Sequence, residues 1–123
     1  MAMSEKQRAT LVEPVQRHLD PGEQIVDVTI GALHERHGRG KDRARASTVV
    51  VTDRRVVFFR RRLGGYDLRS IELARVVDVD HAQGLTTGEL RLTASTGEVT
   101  RVTSMPKDDV ERIAVGLRQR LAP

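Results

Sequence analysis

The chain has 123 residues, of which 38% are hydrophobic and 31% charged, and carries a formal net charge of +4. This length and composition fit one globular domain with a single core. No cysteine is present, which excludes disulfides, zinc–thiolate centres and thiol nucleophiles and is compatible with a reducing cytoplasm. No apolar run approaches the roughly 20 residues of a membrane-spanning helix, and residues 1–10 lack the apolar stretch of a secretory signal, so a cytoplasmic location is expected.

Residues 4–19 are predicted to be helical, because Leu11, Val12, Val15 and Leu19 recur at helical spacing as one apolar stripe. Pro14 disfavours helix at Glu13, leaving either two short pieces or a helix that starts near the proline. Asp20-Pro21-Gly22 is a turn: proline fixes φ and glycine accepts positive φ. Over 24–30, Val26, Val28 and Ile30 alternate with Asp27 and Thr29, the period of a half-buried strand. Residues 31–46 hold most of the net positive charge and are expected to form a long loop, or a loop with ragged strand ends. Residues 47–52 and 54–61 are β-branched and aromatic-rich around Asp53 and read as a hairpin.

Gly64-Gly65 turns the chain into a weaker strand at 66–73. In 76–81, Val77 and Val79 share one face and Asp78 and Asp80 the other. After a loop at 84–88, residues 89–94 point Leu90 and Leu92 inward, and Thr96-Gly97 turns into a strand at 98–103. A helix follows over 107–121, with Ser104 as its cap, Pro106 in its first turn, and Asp108 and Asp109 at its positive end. Val110, Ile113, Ala114, Leu117 and Leu121 form its apolar stripe. Short strands with turn signals about every ten residues indicate a sandwich or barrel, and the helix must bury its stripe against it. An open barrel plugged by the C-terminal helix meets both demands.

The order of elements resembles a known family. Leu19-Asp20-Pro21-Gly22-Glu23 is similar to the L-x-P-G-E opening of bacterial pleckstrin-homology (PH)-like domains of the YokE type and of GRAM domains. Val51-Thr52-Asp53-Arg54-Arg55-Val56-Val57-Phe58-Phe59 resembles their central hairpin, Ile71, Val76 and Val79 followed by Gly84 their next strand, and 107–121 their closing helix. The resemblance implies a mainly β fold, a PH-like open barrel of about seven antiparallel strands in two sheets capped by a C-terminal α-helix. It implies no enzyme activity and no cofactor. The expected division is an N-terminal helical extension, 1–19, before a PH-like domain, 20–122.

The best candidate site is the basic segment 34–45, with Arg36, Arg39, Lys41, Arg43 and Arg45. Lys41, Arg43 and Arg45 resemble the pattern with which the first hairpin of eukaryotic PH domains binds phosphoinositides. If Arg43 and Arg45 begin a strand, their alternation puts both on one face, able to grip one phosphate group. Arg60, Arg61 and Arg62 extend the patch if the two loops share a barrel end. The competing reading is a solvated loop. Metal sets at His34 and His37, or at Asp78, Asp80 and His81, are disfavoured by neighbouring cations and by divergent faces. Phe58 and Phe59 face opposite sides of a strand, and with two Phe and one Tyr the chain lacks the stacking platform of single-strand nucleic-acid binders.

A non-catalytic binding module is therefore expected, with protein–protein interaction or self-assembly first, since open sheet edges invite another chain. The N-terminal helix stripe offers a second means of docking on a neighbouring copy. The alternative is peripheral attachment to anionic lipid head groups, at the inner face of a membrane, through the basic loop. Nucleic acid is the weakest of the anionic partners.

Overall fold

The computed structural model describes residues 3–36 and 42–121. The elements run α1 (Glu5–Gln16), β1 (Ile25–Arg36), β2 (Asp42–Thr52), β3 (Arg55–Arg62), β4 (Gly65–Glu72), a 3₁₀ turn (Leu73–Arg75), β5 (Val76–Gln83), β6 (Thr87–Ala94), β7 (Val99–Pro106) and α2 (Lys107–Leu121). The strands form one antiparallel sheet in the order β4-β3-β2-β1-β7-β6-β5. Its end strands β4 and β5 do not pair, so the barrel is open.

Each face of the sheet carries a helix. On one, Leu33, Val49, Val51, Phe58, Leu90, Leu92 and Val102 pack against Val110, Ile113, Ala114 and Leu117 of α2, as the helical stripe predicts. On the other, Val28, Val50, Val57 and Phe59 are covered by Val15, with Leu11, Val12 and Leu19 beside it. Phe58 and Phe59 thus serve opposite cores, and α1 lies on its own sheet. Phe59 also stacks on Tyr66 at 5.6 Å between ring centroids.

Several sequence expectations are corrected. α1 is one helix running through Pro14, opened by a capping box between Ser4 and Gln7. The cap and the burial of Val15 outweigh the hydrogen bond that proline forfeits. Most of 31–46 is strand, not loop: β1 and β2 pair rung by rung out to Arg36 opposite Asp42. Backbone ladder bonds sustain a ribbon that needs no apolar face, so hydrophobic periodicity fails to reveal it. The ribbon's start depends on Gly31, where a Cβ would meet the Val102 and Met105 side chains at 2.6 and 2.9 Å.

Register shifts explain two further departures. One in β1 between Ile25 and Asp27 takes Val26 out of the Val28 alternation and leaves it 44% exposed, while Val28 and Thr29 are both buried because each face of the sheet carries a helix. One in β5 between Val76 and Asp78 lets Val76 and Val79 both turn inward and leaves Val77 outside. A β-bulge changes the phase of alternation in this way. Ser104 is no helix cap: it lies inside β7 with φ of 57°, and the strand continues to Pro106.

The motifs that carry the family resemblance meet in space. The Glu23 carboxylate is buried at the foot of the sheet. It accepts hydrogen bonds from the Thr52 hydroxyl (2.6 Å), Arg55 Nε (3.0 Å), Arg55 Nη2 (3.1 Å) and the Asp20 amide (2.9 Å). Beside it the Gln24 amide donates to Asp53 Oδ1, and the Asp53 amide donates to the Gln24 carbonyl. The Arg55 hydrogen bond above all, then those of Thr52 and Asp20, hold the Glu23 carboxyl at about 2 against the opposing effect of burial. These residues clasp the chain before β1 to the β2–β3 turn; their work is structural.

Candidate functional site

Besides the outer edges of the β1–β2 ribbon, over 34–36 and 42–47, three lengths of sheet edge lack a neighbouring strand among the described residues. The first is the opening half of β1, which meets β7 only through Ala32 and Leu33. Here Asp27 Oδ1 accepts the Val28 amide at 2.8 Å. Arg112 of α2 grips Asp27 with two bonds of 2.8 and 2.9 Å and Asp109 with a third of 2.8 Å. Asp109, itself buried, accepts the Thr29 hydroxyl at 2.7 Å. The paired carboxylates hold the Arg112 guanidinium well above its ordinary range, Asp27 foremost. The second edge, β5, lies along α2, whose Arg118 donates to the Val79 carbonyl at 3.0 Å. Both edges are closed by the protein's own groups.

The third edge is β4. It pairs with β3 along its whole length, from Arg55 opposite Glu72 to Arg62 opposite Gly65, and with nothing on its other side among the described residues. That side opens into a cleft of about 880 Å³. Four consecutive β4 residues, Arg69, Ser70, Ile71 and Glu72, line it. Successive strand residues point to opposite faces, so the strand turns its edge toward the cleft. The β6–β7 hairpin, with Ser95, Thr96 and Arg101, forms the opposite wall, and Leu33 and Phe58 lie at the floor.

The cleft's charges are mixed and mostly paired. Arg69 Nε lies 3.2 Å from Glu35 and Arg75 Nε 3.6 Å from Glu72. Arg91 and Arg101 share Glu89, whose carboxyl stays below its ordinary range because their hydrogen bonds together outweigh burial. No excess of one sign selects an acidic or a basic ligand.

The basic residues singled out from sequence fall on the β1–β2 ribbon and at the end of β3, and only some of them are described. Arg39 and Lys41 lie outside the described residues. Arg36 stands at the last rung of β1. Arg43 is exposed and Arg45 half-buried, opposite Glu35 and Leu33 on the β1–β2 ribbon. Arg60 and Arg62 both bind Asp67 on the adjacent strand, Arg62 Nε at 2.9 Å. The Arg62 hydrogen bond, with Arg60 close by, lowers the Asp67 carboxyl below its ordinary value. Arg61, between them, points to the other face. His81 is occupied by Arg118 at 2.9 Å, and no group of three or more His, Asp or Glu gathers among the described residues. The cleft was invisible to motif reading. Only the weakness of the 66–73 strand pattern hinted at an edge.

Residues 19–119 match the family described as Bacterial PH domain; the match does not distinguish the YokE-like or GRAM-like type. The N-terminal PH domain of Vps36 is 17% identical with a TM-score of 0.61, over 84% of this chain and 82% of that one. The PH domain of USP37 is 17% identical at a TM-score of 0.57, over 76% of this chain and 95% of that one. A duf1696 family protein with a pleckstrin-homology domain, from Shewanella loihica PV-4, is 15% identical at 0.57, over 98% of this chain and all of that one (100%). No curated protein matches the sequence. PH domains commonly bind proteins or lipids and are typically non-catalytic, and among the described residues no helix is long and apolar enough to cross a membrane. With its seven-stranded open antiparallel sheet, its closing helix and a family match spanning most of its length, the chain belongs to the bacterial PH domain family.

Proposed function

We propose that this chain is a non-catalytic protein-interaction module that takes up an extended segment of another polypeptide along the free edge of β4. One observation carries the reading: among the described residues β4 has no strand on its outer side along its whole length and no side chain capping it as at β1 and β5, and it faces a cleft of about 880 Å³. Strand addition supplies main-chain hydrogen bonds for affinity and alternating side-chain positions for specificity. The apolar floor of Leu33, Phe58 and Ile71 would take the inward residues of such a segment.

Titration of the ¹⁵N-labelled protein with a blocked octapeptide of alternating valine and threonine tests this. Shifts and slowed amide exchange confined to β4 and residues 94–101 are expected. Shifts confined to α2, or none at millimolar peptide, would overturn the reading.

A second reading, attachment to anionic lipid head groups, is favoured by Arg43, Arg61 and Arg62, which are exposed on the β1–β2 ribbon and at the end of β3. Arg36, Arg39, Lys41 and Arg45 belong to the same reading; Arg60 is largely spent on Asp67. Each basic residue near an anionic surface is worth about 1 kcal/mol, and salt screens the attraction. Sedimentation with anionic and neutral vesicles tests it: binding to anionic vesicles alone, lost in high salt, is expected, and equal binding to both would refute it.

A further inference from the structure

We infer that the strand taken up by β4 is β4 of a second copy of this chain, antiparallel about a two-fold axis at Leu68; the inference rests on the edge reading above. Directly opposed residues of an antiparallel pair share a face of the sheet, so a two-fold axis between identical strands must pass through a residue. Of the six interior residues of Gly65–Glu72, Tyr66 and Ile71 as centres would pair only three residues of the strand, which leaves four centres. Centres at Asp67 or Arg69 set like charges face to face, which is unfavourable. A centre at Ser70 sets Leu68 against Glu72 and pairs no charges. A centre at Leu68 sets Asp67 against Arg69 on both sides of the axis, Leu68 against Leu68, and Tyr66 against Ser70. Only this register makes the strand complementary to itself, as an isologous contact requires.

The mixed charge of the cleft fits that occupant, because β4 carries both signs in its own sequence. Asp67 already binds Arg60 and Arg62, but a carboxylate has about four acceptor positions and a guanidinium five donors, so the new pairs need not break the old ones.

Two features outside the strand agree with the same register. Gly65, with nothing within 4 Å of a Cβ built on it, falls opposite Ile71 and leaves that side chain room in the cleft. Leu63, at the β3–β4 turn, is fully exposed (100%) and touches nothing that would explain an apolar side chain there. Continued past the turn, the register carries it toward Leu73 of the second copy, which sits against the apolar core beside Ile71.

The test uses the absence of native cysteine. Light scattering coupled to size exclusion is expected to show a concentration-dependent dimer. Mild oxidation of Leu68→Cys should cross-link it in high yield, since facing residues bring Cβ atoms about 4.5–5.5 Å apart. Ser70→Cys should not cross-link, being displaced from its own copy beyond the roughly 7 Å Cα limit for a disulfide. Leu63→Asp should weaken the dimer roughly 100- to 10,000-fold, since the two-fold contact buries one leucine from each copy, with an unchanged fold. That variant keeps the test open if Leu68→Cys folds poorly. A clean monomer at every concentration, or preferential cross-linking through Ser70→Cys, overturns the inference. If the protein is monomeric and the valine–threonine peptide still binds β4, only the second copy is wrong; if the peptide fails as well, the edge reading falls with it.

Discussion

The first half of β1 and the outer side of β4 are both strand edges without a neighbouring strand, and the protein treats them differently. At β1 the Val28 amide is capped by Asp27, and α2 brings Arg112 and Asp109 to the edge. At β4 no side chain or helix of the protein does the same among the described residues, and the edge looks into a cleft. Unprotected edges invite pairing, and proteins usually blunt them. Where one edge is closed by several coordinated groups, leaving the other open is a feature with a use, and the contrast locates the site more firmly than any residue type does.

The contrast depends on α2 being held in place, and the largest effect comes from releasing it. Leu117 is buried on the sheet face of α2. Leu117→Asp exchanges about 1.5–3 kcal/mol of burial for a buried charge, which exceeds what a small domain can lose. Circular dichroism should show no cooperative melting transition; a folded, soluble variant would contradict the packing described.

Next in size is the clasp at the foot of the sheet. Breaking a buried pair by removing one partner costs about 3–5 kcal/mol, so Glu23→Ala should lower the denaturation midpoint strongly. The pair also sets an acid limit. The folded value of Glu23, about 2, lies below the ordinary 4.5, so its stabilisation is complete above the unfolded value and is lost as pH falls through the folded one. Urea titrations should therefore show wild-type stability declining from about pH 5 toward pH 2, and Glu23→Ala should flatten that decline. An equal slope in both proteins would show that other carboxylates carry the acid sensitivity.

These two regions also mark what the sequence made legible. The α2 stripe, the Leu90/Leu92 alternation and the 47–61 hairpin follow from periodicity, because each has one buried face. The clasp was visible as a motif, while its role was not: nothing local says that Glu23 and Arg55 meet. The β1–β2 ribbon read as loop because backbone pairing holds it without an apolar face. Bulges at Ile25/Asp27 and Val76/Asp78 shift the alternation by one residue, so Val26 and Val77 do not share the buried face of Val28 and Val79 as simple alternation predicts. The basic residues were legible as charge but not as partners of Asp67. The β4 cleft was the least legible, since an edge is a property of strand order, which one strand's sequence does not contain.

Opening the closed edge is a smaller perturbation. Asp27→Ala removes the acceptor of the Val28 amide and leaves Arg112 with Asp109 alone, a loss of about 1–3 kcal/mol. The folded variant should exchange its Val28 amide faster than wild type and associate through β1. Unaltered exchange at Val28 would mean that water already serves that edge and that the cap is incidental.

The smallest effect on stability is the sharpest on the comparison. Ser70 is exposed on β4 and lines the cleft, and its hydroxyl accepts a long hydrogen bond of 3.5 Å from Arg55 Nη1. Surface substitutions of this kind usually stay within about ±0.5 kcal/mol, so Ser70→Lys should melt with wild-type protein. A lysine on a free edge nevertheless obstructs an incoming strand, because its charge would have to be desolvated against the new neighbour. Ser70→Lys should therefore abolish strand-peptide shifts at β4 while leaving the fold intact. Arg61→Lys, on the same sheet but facing away from the cleft, should change neither. If Ser70→Lys bound the peptide as wild type does, the ligand would not be using the β4 edge, and the difference between the closed and open edges would lose its functional meaning.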